Sequence, residues 1–356
     1  MAGDCARLNT ATTFRKWAKN PTFRALLLWL VPAAFLGFFF YQPLLALFEL
    51  MISPKWGFSL ADLNISQIWD TLGFTIAQAA LSTLLTLILG LPGAWLFAKF
   101  TFPGKKILRV LTTLPFILPT VVVAAGFNAL LGPRGWLNLG LQALLNLDTP
   151  PVQFLNTFGA ILTAHIFYNT TIIIRVVSNA WSQQNIRLQH AARVLGANPW
   201  RTFREVTLPL LRPSILAATL LVFLFNFTSF GVVLMLGGPQ FPTLEVEIYI
   251  QALHLLNLPL ASVLSILQLF CTLLITISHN RLAGQQEMVI SPRSQTIAVH
   301  KPRKGLETII VWILIISLFT LLVAPLASLA LRSFVKLEPS RGERGDIQQG
   351  FTLQFY

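Results

Sequence analysis

Charge is what this chain has least of. Only 11% of its 356 residues are Asp, Glu, Lys or Arg, where a soluble domain carries about a quarter. With 54% hydrophobic residues and a mean hydropathy of +0.68, a soluble globular domain is excluded. Cysteine is almost missing: Cys5 lies near the N-terminus and Cys271 inside an apolar run, which leaves no disulfide framework and no thiolate metal spacing. His165, His190, His254, His279 and His300 are scattered without HExxH or any paired spacing, so no metal centre is expected. No stretch matches GxxxxGK[ST], and PGKK at 103–106 lacks both the first Gly and the Ser/Thr of a phosphate cradle. The chain is therefore expected to be no enzyme and to need no cofactor, and any ATP hydrolysis falls to a partner.

Long apolar sequence is what the chain has instead. Windows at 25–48, 71–98, 110–132, 157–178, 213–237, 260–280 and 308–331 are each long enough to cross about 30 Å of hydrocarbon. Arg175, near the end of the fourth, is the one charge among them and can snorkel to the headgroups. The runs are continuous and about twice the length of a barrel strand, which excludes a transmembrane barrel. The expected fold class is all-α: a polytopic transmembrane helical bundle of about seven helices. Because no Asp or Glu lies within the spans, an intramembrane enzyme or a proton-coupled carrier is poorly supported.

The net charge of +13 would suggest nucleic acid in a soluble protein, but its distribution is topological. Arg7, Arg15, Lys16, Lys19 and Arg24 precede the first span, and Lys99, Lys105, Lys106 and Arg109 follow the second. Arg175, Arg187, Arg193, Arg201, Arg204 and Arg212 run from the end of the fourth to the start of the fifth, and Arg281, Arg293, Lys301, Arg303 and Lys304 lie between the sixth and seventh. The loops opposite hold Lys55 and Arg134. The positive-inside rule then makes the N-terminus and the 180–212 loop cytoplasmic in a multi-pass plasma-membrane protein, with the bilayer as partner and no nucleic acid.

That loop is far longer than two neighbouring helices need. Leu188, Ala191, Ala192 and Leu195 share one helical face, Gly196 supplies a left-handed stop, and Asn198 with Pro199 restarts a helix as N-cap and first residue. Trp200, Phe203 and Val206 mark a second short helix, after which Pro209 and Pro213 are expected to turn the chain back to the bilayer. From the residues alone, this is a helix, turn and helix lying flat under the membrane, either as an amphipathic rest on headgroups or as a docking element.

The pattern Ala191, Ala192, Gly196, Val206, Leu208, Pro209 resembles the EAA loop of permease subunits of binding-protein-dependent ABC importers. The resemblance implies a coupling helix that docks in a groove of a cytoplasmic ABC ATPase subunit. His190 stands where the family's Glu is usual, which implies a changed polar contact. FNFTSFGVVLMLGGPQFPTLEVEIYIQAL at 225–253 is similar to the same region in the iron(III) and thiamine branch. There the permease is a fused chain of two halves, fed by an external solute-binding protein and working by alternating access.

On this resemblance residues 1–24 are a basic cytoplasmic tail, and 25–282 a first permease half with its coupling loop at 180–212. Residues 283–306 are a cytoplasmic linker, and 307–356 open an incomplete second half that continues past Tyr356 or is supplied by another subunit. Pro43 and Pro325 align between the halves. The alternative function is an ATP-independent secondary transporter or channel.

Polar residues inside the spans are the remaining candidates. His165 and Asn169 share a face of the fourth span, and Asn226, Thr228 and Ser229 cluster in the fifth. They fit interhelical hydrogen bonding or the lining of a translocation path. In 238–259, an external amphipathic helix is expected with Leu244, Ile248, Gln251 and Leu255 along one side; Glu245 and Glu247 are read as a solvated face or as a surface for the binding protein.

Overall fold

The computed structural model describes residues 21–52, 63–238, 240–287, 299–302, 305–336 and 350–351. The expectations for the N-terminal tail, for Cys5, for most of the linker and for the end of the tail lie outside these residues. The chain divides into two compact units, residues 1–64 with 248–266, and residues 65–247 with 267–356.

In the first unit, α1 (Pro21–Leu36) runs through a π turn at Gly37–Tyr41 into α2 (Gln42–Ile52). The amide of Gln42 reaches back five residues to the Gly37 carbonyl. This widened turn stands just before Pro43, which has no amide to give and would crowd a normal turn. Phe35, Phe38 and Phe39 pack ring on ring along it, with centroids 4.8 and 5.1 Å apart.

The second unit holds α3 (Ile65–Lys99), α4 (Lys105–Leu111), α5 (Leu114–Ile117), α6 (Thr120–Leu131), α7 (Trp136–Leu145) and α8 (Phe158–Ser182). It continues with α9 (Ile186–Val194), α10 (Pro199–Thr202), α11 (Leu208–Phe227) and α12 (Phe230–Val232). Two elements then cross the unit boundary: α13 (Leu244–Tyr249), which ends in a π turn at Ile250–His254, and α14 (Leu258–Glu287). The last helix is α15 (Leu306–Arg332), followed by the antiparallel two-residue strands β1 (Val335–Lys336) and β2 (Gly350–Phe351). The sequence pattern gave no sign of these strands. Among the described residues, six helices are long and apolar enough to cross a bilayer, or seven if one bent pair is a single span.

That pair corrects the third window. Residues 110–132 are not one helix: Lys105–Ile117 and Thr120–Leu145 meet at 113°. Leu118 before Pro119 is extended at φ −75°, ψ 134°, as the residue before a proline must be when the ring would clash with helical backbone. The Thr171 hydroxyl, from the middle of the unbroken α8, donates to the Thr112 carbonyl between α4 and α5. The fifth window is shifted as well, since α11 begins at Leu208 and ends at Phe227.

Close packing organises the rest. Ala94, Ala98, Ile173, Val177, Leu211 and Val222 form a core where α3, α8 and α11 meet. A Cβ at Gly90 would lie 2.7 Å from Ile173 Cβ, and one at Gly93 2.9 Å from Ile174, so small residues set how near these backbones come. α15 packs on the same unit: Leu318 and Val311 join Leu96, Phe97 and Ile174. A Cβ at Gly126 would be 2.9 Å from the Pro325 carbonyl oxygen, and Trp136 Nε1 donates to the Ser328 carbonyl at 3.2 Å.

Candidate functional site

The 180–212 loop is built by its caps. Asn185 Oδ1 accepts the Arg187 amide at 3.0 Å and opens α9. At the far end the amides of Gly196 and Ala197 reach the carbonyls of Arg193 and Ala192, both at 3.0 Å. This is a Schellman closure, and it needs the left-handed residue found at Gly196, with φ +88°. Two residues on, Asn198 Oδ1 accepts the Arg201 amide at 2.7 Å and Pro199 is the first helical residue.

The second helix departs from expectation. It does not turn back at Pro209: α10 runs on through a π turn at Phe203–Thr207 into α11. The Leu208 amide reaches five residues back to Phe203, so the chain passes Pro209 inside a widened turn, as it does at Pro43. The loop is thus one free helix, α9, joined at Gly196 to the extended end of the fifth span. Trp181 and Phe203 stack at 5.9 Å and Phe203 and Trp200 at 5.8 Å, tying that end to α8.

Exposure shows what this arrangement offers. Val194 and Leu195 are each 87% exposed and Trp200 68%, an exposed apolar tip. His190, Ala191, Gly196 and Pro209 are exposed, while Ala192, Val206 and Leu208 are half-buried.

The intramembrane candidates fall into two hydrogen-bonded groups, one through Asn169 and Asn226 and one through His165 and Ser229. Asn169 Nδ2 donates to Asn226 Oδ1 at 2.7 Å, and Asn226 Nδ2 donates to Thr83 Oγ1 at 3.0 Å. His165 Nδ1 lies 2.8 Å from Gln78 Nε2 and 3.0 Å from Ser82 Oγ, and its Nε2 lies 2.8 Å from Ser229 Oγ. With the Gln78 amide so oriented, Nδ1 accepts and the ring proton sits on Nε2, toward Ser229. Thr228 and Ser229 occupy the gap between α11 and α12, where the backbone leaves the helix at Ser229 with φ −97°, ψ 87°.

Beside this gap is a pocket of about 330 Å³. His165, Asn169, Thr228 and Ser229 line it, together with Thr120 and Tyr168. Phe116, Phe225 and Phe230 complete the aromatic part of the wall. Asn226 does not reach it; fully buried, it braces Asn169 from behind. Sequence reasoning missed the partners on α3. Their signal was there: Thr71, Thr75, Gln78, Ser82 and Thr86 follow helical spacing through an apolar span, and all are buried.

The reading of 238–259 is also corrected. Leu244 and Gln251 are buried, but Leu255 is 61% exposed. Glu247 is only 8% exposed and Glu245 accepts from Gln268 Nε2 at 3.3 Å, so the acidic pair is not a solvated face. Burial pushes the Glu245 carboxyl above its ordinary range.

Among the described residues there is no group of three or more His, Cys, Asp or Glu able to hold a metal ion.

Residues 90–287 match the family model described as binding-protein-dependent transport system inner membrane component. The thiamine transport system permease protein ThiP of Haemophilus influenzae is 32% identical over 251 residues, covering 70% of this chain and 45% of that protein. The molybdenum transport system permease protein ModB of Azotobacter vinelandii is 34% identical over 164 residues, covering 46% of this chain and 70% of that one. This chain thus spans less than half of the thiamine permease it matches. A crystal structure of a bacterial ABC transporter involved in alginate import shares the fold with a TM-score of 0.61 at 22% identity, over 76% of this chain and 99% of that one.

Proposed function

Since this chain belongs to the binding-protein-dependent transport system inner membrane component family, we propose that it is the permease part of an ABC importer. It moves its solute by alternating access, driven by separate ATPase subunits. The observation that carries this reading is the exposed apolar tip of Val194, Leu195 and Trp200 on the Gly196 closure. A short helix presented this way gives register and contact area in a groove with few residues. Because α10 continues into α11 without a break in the rod, a push on Trp200 reaches the gap at Thr228 and Ser229 through helix, and a push on Val194 or Leu195 is passed to that rod at the Gly196 turn.

In this reading His190, Ala191, Ala192, Gly196, Val206, Leu208 and Pro209 form the ATPase-coupling element, on the cytoplasmic side of a plasma membrane. His165, Asn169, Thr228 and Ser229 line the translocation path, with Asn226 behind them. The partners are cytoplasmic ABC ATPase subunits, an external solute-binding protein and a second permease half of which α15 is the first helix. The docking of α15 against α6 and α3 supports that last assignment, because it gives the helix a place on the first half. The solute is thiamine or iron(III) by resemblance, and thiamine is favoured because it is the solute in the name of the Haemophilus relative.

The test is uptake of radiolabelled thiamine into proteoliposomes holding the assembled importer. Uptake is expected only with ATP and the binding protein together; uptake that continues without ATP would establish the alternative, a secondary transporter or channel.

A further inference from the structure

A cavity of about 520 Å³ opens where α3 ends and α15 begins. Residues 101–103, in the turn between α3 and α4, form one wall. Lys301 and Pro302 form a second, and Thr308 and Trp312 of α15 a third. The second wall is fixed by backbone. The His300 amide donates to the Lys99 carbonyl at 3.1 Å and the Thr101 amide to the His300 carbonyl at 2.9 Å. This lays the segment before Lys301 parallel to the end of α3, and the His300 ring rests on Phe100 with centroids 5.0 Å apart.

Depth and charge say what fits. Two spanning helices stop at this cavity, α3 at Lys99 and α15 at Leu306, so it lies level with lipid headgroups, where Trp is favoured. Lys301 is the one charged residue of the wall. Glu307 is not in the wall and lies 3.7 Å from His300 Nε2. Lys301 opens the basic run KPRK, and Lys105, Lys106 and Arg109 of the adjoining α4 add to the positive field. Away from the headgroup level, Ile309, Trp312, Ile313 and Ile316 stand at helical spacing on one exposed apolar face of α15.

We propose that this cavity is a site for one anionic phospholipid. Lys301 pairs with the phosphate, Trp312 covers the glycerol backbone, and the acyl chains lie along the Ile309–Ile313–Ile316 face. A soluble anion would meet Lys301 but leave the apolar wall to water, whereas a lipid covers both. A zwitterionic headgroup would bring its own ammonium into a field that is already positive. The bound lipid ties the 299–302 segment and the start of α15 to the end of α3. The inference rests on the spans and the basic charge beside them, and needs neither the coupling reading nor the solute.

The test is native mass spectrometry of the purified full chain released from detergent, titrated with dioleoylphosphatidylglycerol or dioleoylphosphatidylcholine. The first phosphatidylglycerol is expected to bind about fivefold more tightly than the first phosphatidylcholine, the scale of one basic residue at an anionic surface. Lys301 is exposed, so Lys301→Gln should keep the fold and abolish this preference, while Lys301→Arg keeps it. Lys106→Gln makes the same charge change at an exposed residue outside the wall and should leave the preference in place. No preference in the parent, a preference that survives Lys301→Gln, or an equal loss in Lys301→Gln and Lys106→Gln would overturn the inference. Displacement of the lipid by inorganic phosphate would also overturn it, making the cavity a free-anion site instead.

Discussion

Asn169 and Asn226 face each other across α8 and α11, amide nitrogen to amide oxygen at 2.7 Å, and Asn226 passes the contact on to Thr83 of α3. Three helices are therefore held in register by one side chain that is fully buried. Such a bond is modest in a membrane, where the unfolded helices also find partners, but an orphaned group left behind is costly.

Replacing Asn226 by Ala removes both bonds at once and leaves Asn169 Nδ2 unpaired. The expected loss is about 1–2 kcal/mol, between the average interhelical bond in membranes and the cost of a buried unsatisfied group. Thermal unfolding in detergent of Asn169→Ala, Asn226→Ala and the double variant checks this. A double-mutant cycle with no coupling would mean the contact does not form.

Glycines in this chain divide by what surrounds them. Gly90→Ala places a Cβ against Ile173 with no room to give, and should destabilise by about 1–3 kcal/mol, the usual cost of overpacking. Gly73→Ala and Gly140→Ala add a methyl where nothing lies within 4 Å, and should be neutral or slightly stabilising through helix propensity. Equal effects at all three positions would count against the α3–α8 packing.

Gly196 is a different case, because a Cβ there also meets nothing within 4 Å and the cost comes only from φ +88°. Gly196→Val should strain the turn by about 1–2 kcal/mol and separate ATP hydrolysis from uptake with little change in unfolding temperature. Gly196→Asn, which tolerates the left-handed region, should keep much of the coupling. The readout is the ratio of solute moved to ATP hydrolysed.

How far the sequence reached follows from what each feature depends on. The spans, the Gly196 closure and the Asn198–Pro199 restart depend on neighbours within one turn, and all were legible. The break in the third span was written at Pro115 and Pro119, yet hydropathy has no term for a missing amide. Continuity through Pro209 could not be read, because a π turn leaves no mark in side-chain pattern. Within the pocket, His165, Asn169, Thr228 and Ser229 stand out as polar residues among oil. Phe116, Tyr168, Phe225 and Phe230 do not, since aromatic residues in a span look like any other apolar filling.

Glu245 makes a pH prediction. Its carboxyl is raised from the ordinary 4.5 by burial, against smaller opposing effects of hydrogen bonds from Gln268 and the Phe230 backbone. Here the fold binds the proton more tightly than the unfolded chain does. Stability should therefore fall as pH rises from the ordinary carboxylate value through the raised one, and level off above it. Glu245→Gln keeps an oxygen for Gln268 and should flatten this slope, being more stable than the parent at neutral pH and no more stable at low pH. Unfolding temperatures between pH 4 and 8 decide it; a parent that gains stability with pH in this window would reverse the sign.

The central claim is that the tip at Val194, Leu195 and Trp200 is where an ATPase subunit docks, and it is tested by what stays bound. Leu195 and Trp200 are exposed, so Leu195→Asp with Trp200→Asp should leave the membrane fold intact. The measurement is the amount of ATP-binding subunit retained when the tagged chain is purified in detergent after co-expression with its importer partners. Near-stoichiometric retention by the parent and at least a tenfold loss in the double variant is the predicted result; equal retention by the two would contradict it.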